Sequence, residues 1–413
     1  MKNLNTDALA GKRILFISSI FFPQANSGLK RILQTCLALE KSGHQVTILS
    51  KKINPEYYKK LNFSLDTHTE QVLLKDSSIK VRRGFSFESW YYFFKILLKK
   101  KKPNASVSSF KKNTDAFTWG DTAALWSLPA VLSSISIKTD LVYATSPSPW
   151  NLIIGCAISK LKTKPLVLDY RDAWLLNPSV QISANQKKLQ AVEKYILKHS
   201  TAILFTTRGM METYVNHYQL DPKKAFLLRN GFQKGKPIEA PSGLLDPAFH
   251  NLVYVGILST GRDPESLFKA VSQAGAFQGK QIKLNFVGCS QADITYLDQL
   301  EKKYNIPVMG IPYVERNKAL QYMSAADTLL LLMNDAFKAG SAYGIPGKIG
   351  DYIIYNKPIL INNGVKEFLN WEFGSDISFT PSPLQGFTNV SFKPEAFDFD
   401  GNFNQIIPAI IKS

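Results

Sequence analysis

Short apolar runs alternate with helix-period segments along most of this chain, and nothing else in it limits the fold as strongly. Arg13-Ile14-Leu15-Phe16-Ile17-Ser18-Ser19 is the first run, continuous and apolar, of the type buried on both faces of a sheet. After a loop that ends at Gly28, a helix is expected from Leu29 to about Ser42-Gly43. Ile32, Leu33, Cys36, Leu37 and Leu39 keep helical spacing there, and Gly43 is its stop. Residues 45–49 make a second strand and complete a βαβ unit. Strands are expected again at 140–145, 165–169, 202–206 and 225–228, with helices at 153–160, 189–198 and 210–218. Residues 233–249 break the rhythm: Gly235, Pro237, Pro241, Gly243 and Pro247 leave little periodicity, as in a linker. A second series follows, with strands at 251–256, 282–287, 329–333 and 358–361 and helices at 264–274 and 292–304.

Strands that alternate with helices build parallel sheets with helices on both faces. The expected class is therefore α/β, two Rossmann-like domains with parallel sheets facing a central cleft. The first would span 1–236, a linker 237–249, and the second 250–397, with 398–413 packing back on the first. A length of 413 residues, too great for one ordinary core, agrees. Open parallel sheets bind ligands at the carboxyl ends of their strands. The loops that matter are then 18–30, 145–150, 169–175, 256–264 and 334–348.

Charge narrows the partners. The net charge is +18, and residues 1–200 carry 30 Lys+Arg against 13 Asp+Glu, while the rest carry 20 against 19. A basic half implies a phosphate-bearing substrate, an anionic membrane or a nucleic acid. The basic residues form no nucleic-acid motif, so no nucleic acid is expected. An apolar content of 45% excludes a disordered chain. Cys36, Cys156 and Cys289 are odd in number, far apart and without a CxxC, which reads as reduced core cysteines of a cytosolic protein. The five histidines lack metal-ligand spacing. No run is long enough to span a membrane, and residues 1–22 show no secretion-signal pattern. In residues 85–102, Trp90, Tyr91, Phe94, Leu97 and Leu98 would share one helical face, and Lys95, Lys99 and Lys102 another. Aromatics beside lysines suit a bilayer interface, and a core helix with a solvated basic end is the other reading. The expected location is cytoplasmic, held peripherally at the inner face of the plasma membrane through Trp90 to Lys102.

Two places carry chemistry. Residues 344–360 read as a small-residue loop, one short helix, a turn and a buried strand. Backbone N–H groups near Gly347, a helix N-terminus and Lys348 suit a phosphate. Asp351 lies three residues on along the same face and suits a ribose hydroxyl. An ordinary turn before a core helix fits these residues equally well. At the exit of the strand 165–169, Asp172 can accept a hydrogen bond from a ligand hydroxyl and Arg171 can meet a phosphate. The alternative is an Arg–Asp pair that fastens a loop. Charges at a strand exit favour function slightly, since burying them without partners is costly. Gly28 lets the backbone approach a ligand, or is a turn glycine. Asp398-Phe399-Asp400 has the form of a metal-binding DxD but lies in the C-terminal tail, and is discounted.

Four stretches keep a common order: Phe21-Phe22-Pro23 with Ser27-Gly28 and Lys30-Arg31; Tyr143-Ala144-Thr145-Ser146-Pro147 with Leu168-Asp169-Tyr170-Arg171-Asp172-Ala173-Trp174; Tyr254-Val255-Gly256-Ile257-Leu258 with Arg262; and Ile345-Pro346-Gly347-Lys348 through Lys357-Pro358-Ile359-Leu360. Together they resemble the family 4 glycosyltransferases of the GT-B type, bacterial surface-polysaccharide members above all, over most of residues 13–362. The resemblance implies a retaining transfer of sugar from a nucleotide-sugar donor to a saccharide acceptor carried on a lipid, with no metal and no cofactor. It implies donor contacts at Gly28, Gly256, Arg262, Gly347, Lys348, Asp351 and Tyr352. Acceptor contacts would come from Lys30, Arg31, Ser146, Asp169 and Arg171, and the chemistry from Arg262, Lys348 and Asp172. The chain departs from the pattern at the donor helix, where two glutamates eight positions apart are replaced by Tyr343 and Asp351. It departs again after Arg262, where Asp263-Pro264 stand in place of a common lysine. A sugar-nucleotide epimerase of the same architecture and a non-catalytic nucleotide-sugar or saccharide-binding protein are the alternatives.

Overall fold

The computed structural model describes residues 11–23, 28–55, 74–87, 122–176, 186–231, 237–258, 264–277, 279–333 and 345–412. The chain divides into two compact units, Met1–Leu228 with Asp400–Ser413, and Arg229–Phe399.

The first unit is built on a parallel sheet in the order β3-β2-β1-β4-β5-β6-β7. Its strands are β1 (Arg13–Ile17), β2 (Gln45–Lys51), β3 (Lys80–Gly84), β4 (Leu141–Thr145), β5 (Leu166–Tyr170), β6 (Ala202–Phe205) and β7 (Ala225–Leu227). Every residue of β4, β5 and β6 is buried, which is why these strands read as unbroken apolar runs. Among the described residues the helices of this unit are α1 (Leu29–Lys41), α2 (Ser127–Ser134), α3 (Pro149–Lys162), α4 (Gln186–His199) and α5 (Arg208–Tyr218), joined by a C-terminal helix. α1 ends at Ser42, and Gly43 follows at φ +84°, where a side chain would be strained. From the centre the chain first winds outward through β2 and β3, then reverses through β4 to β7. The switch point therefore lies between β1 and β4, and the loops leaving those strands sit together at it. β3 and α2 have no counterpart in the sequence reading. β3, Lys-Val-Arg-Arg-Gly, is an edge strand with exposed charges and no apolar run to betray it.

The second unit has the strand order β11-β10-β8-β12-β13-β15-β14, with β9 (Ala276–Phe277) paired on β10. β8 (His250–Val255), β10 (Lys280–Cys289), β11 (Val308–Pro312), β12 (Thr328–Leu331) and β13 (Ile359–Asn362) run parallel. β14 (Ile377–Pro381) and β15 (Phe387–Phe392) add an antiparallel hairpin at one edge, a departure from the all-parallel expectation. Side chains alternate between two cores. Val253, Leu329, Leu331, Ile359 and Ile361 face one side, and Leu252, Tyr254, Leu330 and Leu360 the other. Its helices are α6 (Glu265–Ala274), α7 (Gln291–Tyr304), α8 (Arg316–Ala325), α9 (Lys348–Ile354) and α10 (Lys366–Phe373). A capping box of Ser290 and Asp293 starts α7. Residues 237–249 are laid against this unit. Leu245 is in its core, and the carbonyl oxygens of Ile238 and Asp246 accept hydrogen bonds from Tyr355 and Asn251.

The last helix, α11 (Phe399–Lys412), returns to the first unit, with Phe403, Ile410 and Ile411 buried. Lys12 donates to the carbonyl of Ile411, and Asp400 lies 3.6 Å from Lys41. In the DxD triplet, Asp400 is engaged by Lys41.

Candidate functional site

In the first unit, the loop after β5 is held by a set of short contacts. The Arg171 and Asp172 N–H groups donate to the Ser146 hydroxyl at 2.8 and 3.1 Å, and the Thr206 hydroxyl donates to the Arg171 carbonyl at 3.0 Å. The Arg171 guanidinium reaches back to the switch point and donates to the Gly28 carbonyl at 3.1 Å. A Cβ on residue 28 would lie 2.3 Å from that guanidinium, so glycine is what permits the approach. Burial lowers the Arg171 pKa, against Asp169, which raises it. Asp172 stands exposed at the carboxyl end of the sheet, free in space to accept from a hydroxyl.

Beneath this loop, Arg31 and Asp169 form an ion pair in the interior. They meet at 2.6 Å, with side chains 4% and 1% exposed. Arg31 also donates to the Leu228 carbonyl, and Asp169 accepts from the Thr145 hydroxyl at 3.0 Å. Both residues, expected at an acceptor site, are thus buried with their charged groups facing each other and the backbone. Ser146 is likewise engaged in bracing the loop. Lys30, in the first turn of α1, is half-buried.

In the second unit, Lys348 opens α9 and extends its side chain over the carboxyl end of β8. The ammonium lies 3.8 Å from the centre of the Tyr254 ring, a cation–π contact. It is also 2.9 Å from where a Cβ on Gly256 would be. Gly256 has φ +132°, and the backbone of Gly288 (φ +101°) passes it so closely that a Cβ there would meet Gly256 at 3.3 Å. Two strand ends thus crowd together because neither has a side chain. Gly347 is exposed, with open space where a side chain would be.

Asp351 turns elsewhere. Arg316 at the start of α8 holds its carboxylate at 2.8 and 3.3 Å, leaving the side chain 10% exposed. Lys348 and Asp351, expected to share one ligand, are thus engaged by different partners, Tyr254 and Arg316. Tyr352, expected among the donor contacts, is a fully buried core residue. Its hydroxyl accepts from the Val255 N–H at 3.2 Å and donates to the Leu330 carbonyl at 3.0 Å, tying α9 to two strands.

No family profile matches the chain, and no curated protein is similar to it in sequence. Solved structures are similar in fold. Sucrose-phosphate synthase from Thermosynechococcus elongatus has a TM-score of 0.55 at 14% identity, over 97% of this chain and 90% of that one. HepE from Anabaena, solved in complex with UDP and glucose, has a TM-score of 0.51 at 14% identity, over 84% and 80%. A glycosyltransferase from Rickettsia africae has a TM-score of 0.50 at 12% identity, over 87% and 82%. The fold is that of the GT-B glycosyltransferases.

Within the GT-B fold of this chain, two groups of sequence-predicted residues come together: Gly28, Ser146, Arg171 and Asp172 in the first unit, and Gly256 and Lys348 in the second. Arg262, Tyr343 and the segment from Trp90 to Lys102 lie outside the described residues. Sequence reasoning missed Tyr254 as the seat of the lysine and Arg316 as the partner of Asp351. The first had a signal, an aromatic two residues before a strand-end glycine. The second had none, since Arg316 is 35 residues from its partner. Among the described residues, no three His, Cys, Asp or Glu side chains gather as a metal would require.

Proposed function

We propose that this chain is a retaining glycosyltransferase that moves a sugar from a nucleotide-sugar donor to a lipid-linked saccharide in surface polysaccharide or glycolipid assembly. The observation that carries the reading is Lys348, whose ammonium is held over Tyr254 beside the bare backbone of Gly256 at the end of β8. In open parallel sheets this is where ligands bind. Sugar transfer loads negative charge on the departing nucleoside diphosphate, and a fixed cation aimed at it lowers the barrier. Arg262, which follows β8 in the sequence, would add a second cation. HepE, of the same fold, holds UDP and glucose, which supports a nucleotide-sugar donor.

The first unit would take the acceptor, with Asp172 accepting from a sugar hydroxyl and Arg171 shaping the loop around it. In a front-face reaction the leaving phosphate takes the acceptor's proton, so no separate base is required. No metal or cofactor enters this scheme. The chain would work at the cytoplasmic face of an anionic membrane, where a lipid-linked acceptor is found.

Titration calorimetry with UDP and GDP tests the donor site first. One of the two should bind, and Lys348→Ala should abolish most of that binding while the melting temperature holds. With the matching nucleotide sugar and a lipid-linked acceptor, Lys348→Ala should lower turnover about 10²- to 10³-fold. Binding of neither nucleotide would overturn the transferase reading. Turnover without release of nucleoside diphosphate would point to an epimerase.

A further inference from the structure

The steps from β3 to β4, β4 to β5 and β5 to β6 all connect parallel strands, and all three run in the same direction across the sheet. Right-handed crossovers then place α2, α3 and α4 on one face of the first unit, and α2 packs on α3 and α3 on α4. The outer surface of this helical layer has an unusual chemistry. Leu128, Leu132 and Ile135, a helical stripe along α2 and its C-cap, are 65%, 57% and 60% exposed. Leu161 on α3 is 58% exposed, and Val192 and Tyr195 on α4 are exposed as well. Single exposed apolar residues need no explanation, but a run of them across three adjacent helices does.

The charges around them have one sign. α2, α3 and α4 contain six lysines and a single carboxylate, Glu193, which is fully buried. Lys160 lies over the Tyr195 ring at 4.3 Å, and Lys162 donates to the carbonyls of Ile135 and Ile137, joining α3 to the end of the leucine stripe. Lys138, Lys164, Lys188, Lys194 and Lys198 are exposed around the same layer. Between residues 122 and 168 the one carboxylate is Asp140, and Arg13 holds it at 2.6 Å.

Exposed leucines ringed by lysines, with no exposed acid among them, match a surface that is apolar within and anionic at its rim. A phospholipid bilayer with acidic headgroups has that profile: leucines enter the boundary between headgroups and acyl chains, and ammonium groups meet the phosphates. A nucleic acid would use the lysines but leave the leucines in water, where stacking aromatics are wanted instead. We infer that the outer face of α2, α3 and α4 is the surface by which this chain lies on an anionic bilayer. The inference deepens the membrane part of the function proposed above and rests on it. Donor binding is decided separately, by the nucleotide titration.

Flotation of the full chain with phosphatidylcholine vesicles, with and without phosphatidylglycerol, tests it. The unmodified chain should float only with phosphatidylglycerol. Leu132→Glu with Ile135→Glu should lower partitioning by about tenfold or more, as expected for withdrawing a buried aliphatic side chain. Lys188→Ala, Lys194→Ala and Lys198→Ala together should lower it about a hundredfold at low salt, roughly fivefold for each lysine. This triple variant alters exposed side chains alone, so it keeps the test decisive if the glutamates disturb α2. Undiminished flotation of both variants overturns the inference. If instead alanine at Lys99, Lys100, Lys101 and Lys102 removes flotation and these variants do not, the membrane reading stands and this face is not the surface. No flotation of the unmodified chain, or retention on single-stranded RNA without vesicle binding, overturns both.

Discussion

Gly256 and Lys348 act as a pair, because the space the lysine uses is space that a side chain would fill. Gly256→Ala would place a methyl group 2.9 Å from the ammonium and force a side chain into φ +132°. Strain of that kind costs on the order of 1–3 kcal/mol. The expected outcome is a lower melting temperature together with weaker nucleotide binding, read by calorimetry; unchanged affinity would separate the lysine from the ligand. Glu193 offers a test without any ligand. Its carboxylate accepts from the Tyr218 hydroxyl at 2.6 Å and the Tyr214 hydroxyl at 3.0 Å, and Tyr214 in turn accepts from the Trp174 N–H in the loop after β5. Burial pushes the carboxyl up to about 7, while the tyrosine donors pull the other way. The folded state thus holds its proton more tightly than the unfolded chain does. The contribution of this group to stability is full below about pH 4.5, declines as pH rises to about 7, and is level above. The loss across that window is about 3 kcal/mol. Glu193→Gln should remove this slope from the melting temperature measured against pH, and a slope shared by both proteins would refute the assignment.

At the scale of elements, α9 shows how a short helix is fixed by one hydroxyl. Tyr352 bridges β8 and β12, so Tyr352→Phe leaves the Val255 N–H and the Leu330 carbonyl without that partner in the core. A loss of about 1–3 kcal/mol is expected, measured by denaturant unfolding. An undiminished stability would mean the two strands hold α9 without it. The same helix marks the limit of what its sequence tells. Its start at Lys348 and the strand after it are legible from Gly347 and from Pro358-Ile359-Leu360. The directions taken by Lys348 and Asp351 are not, because they depend on Tyr254 from one strand and Arg316 from another helix. Arg31 and Asp169 repeat the lesson in the first unit. A charged residue beside a glycine loop and another at a strand exit look like ligand contacts, but the fold brings 138 residues of separation down to a bonded pair. β3, β11, α8 and the β14–β15 hairpin escaped notice for a different reason: they are short or polar, and lack the apolar periodicity that marks the central strands.

At the scale of the molecule, the chain crosses from the first unit to the second at Leu228 and returns at Asp400. α11 then completes the first unit, burying Phe403, Ile407, Ile410 and Ile411. Each such side chain contributes about 1.5–3 kcal/mol, and together they rival the roughly 5–15 kcal/mol by which a domain is stable. Deletion of residues 400–413 should therefore unfold the first unit, seen as rapid proteolysis within 1–228; protection equal to that of the full chain would show that the helix is dispensable. The alternation of apolar runs and helical segments was enough by itself to determine an α/β chain with two mostly parallel sheets, though not the antiparallel edge of the second. Strand and helix periods are local, and a strand buried on both faces has to be apolar throughout. The chain's sequence also marked Gly256 at the end of β8 and the lysine at the head of α9. Only the tertiary structure decided which charges meet one another and which face outward. An ion pair between distant residues leaves no local pattern, and neither does a surface assembled from three helices, such as the lysine-rimmed apolar layer of α2, α3 and α4.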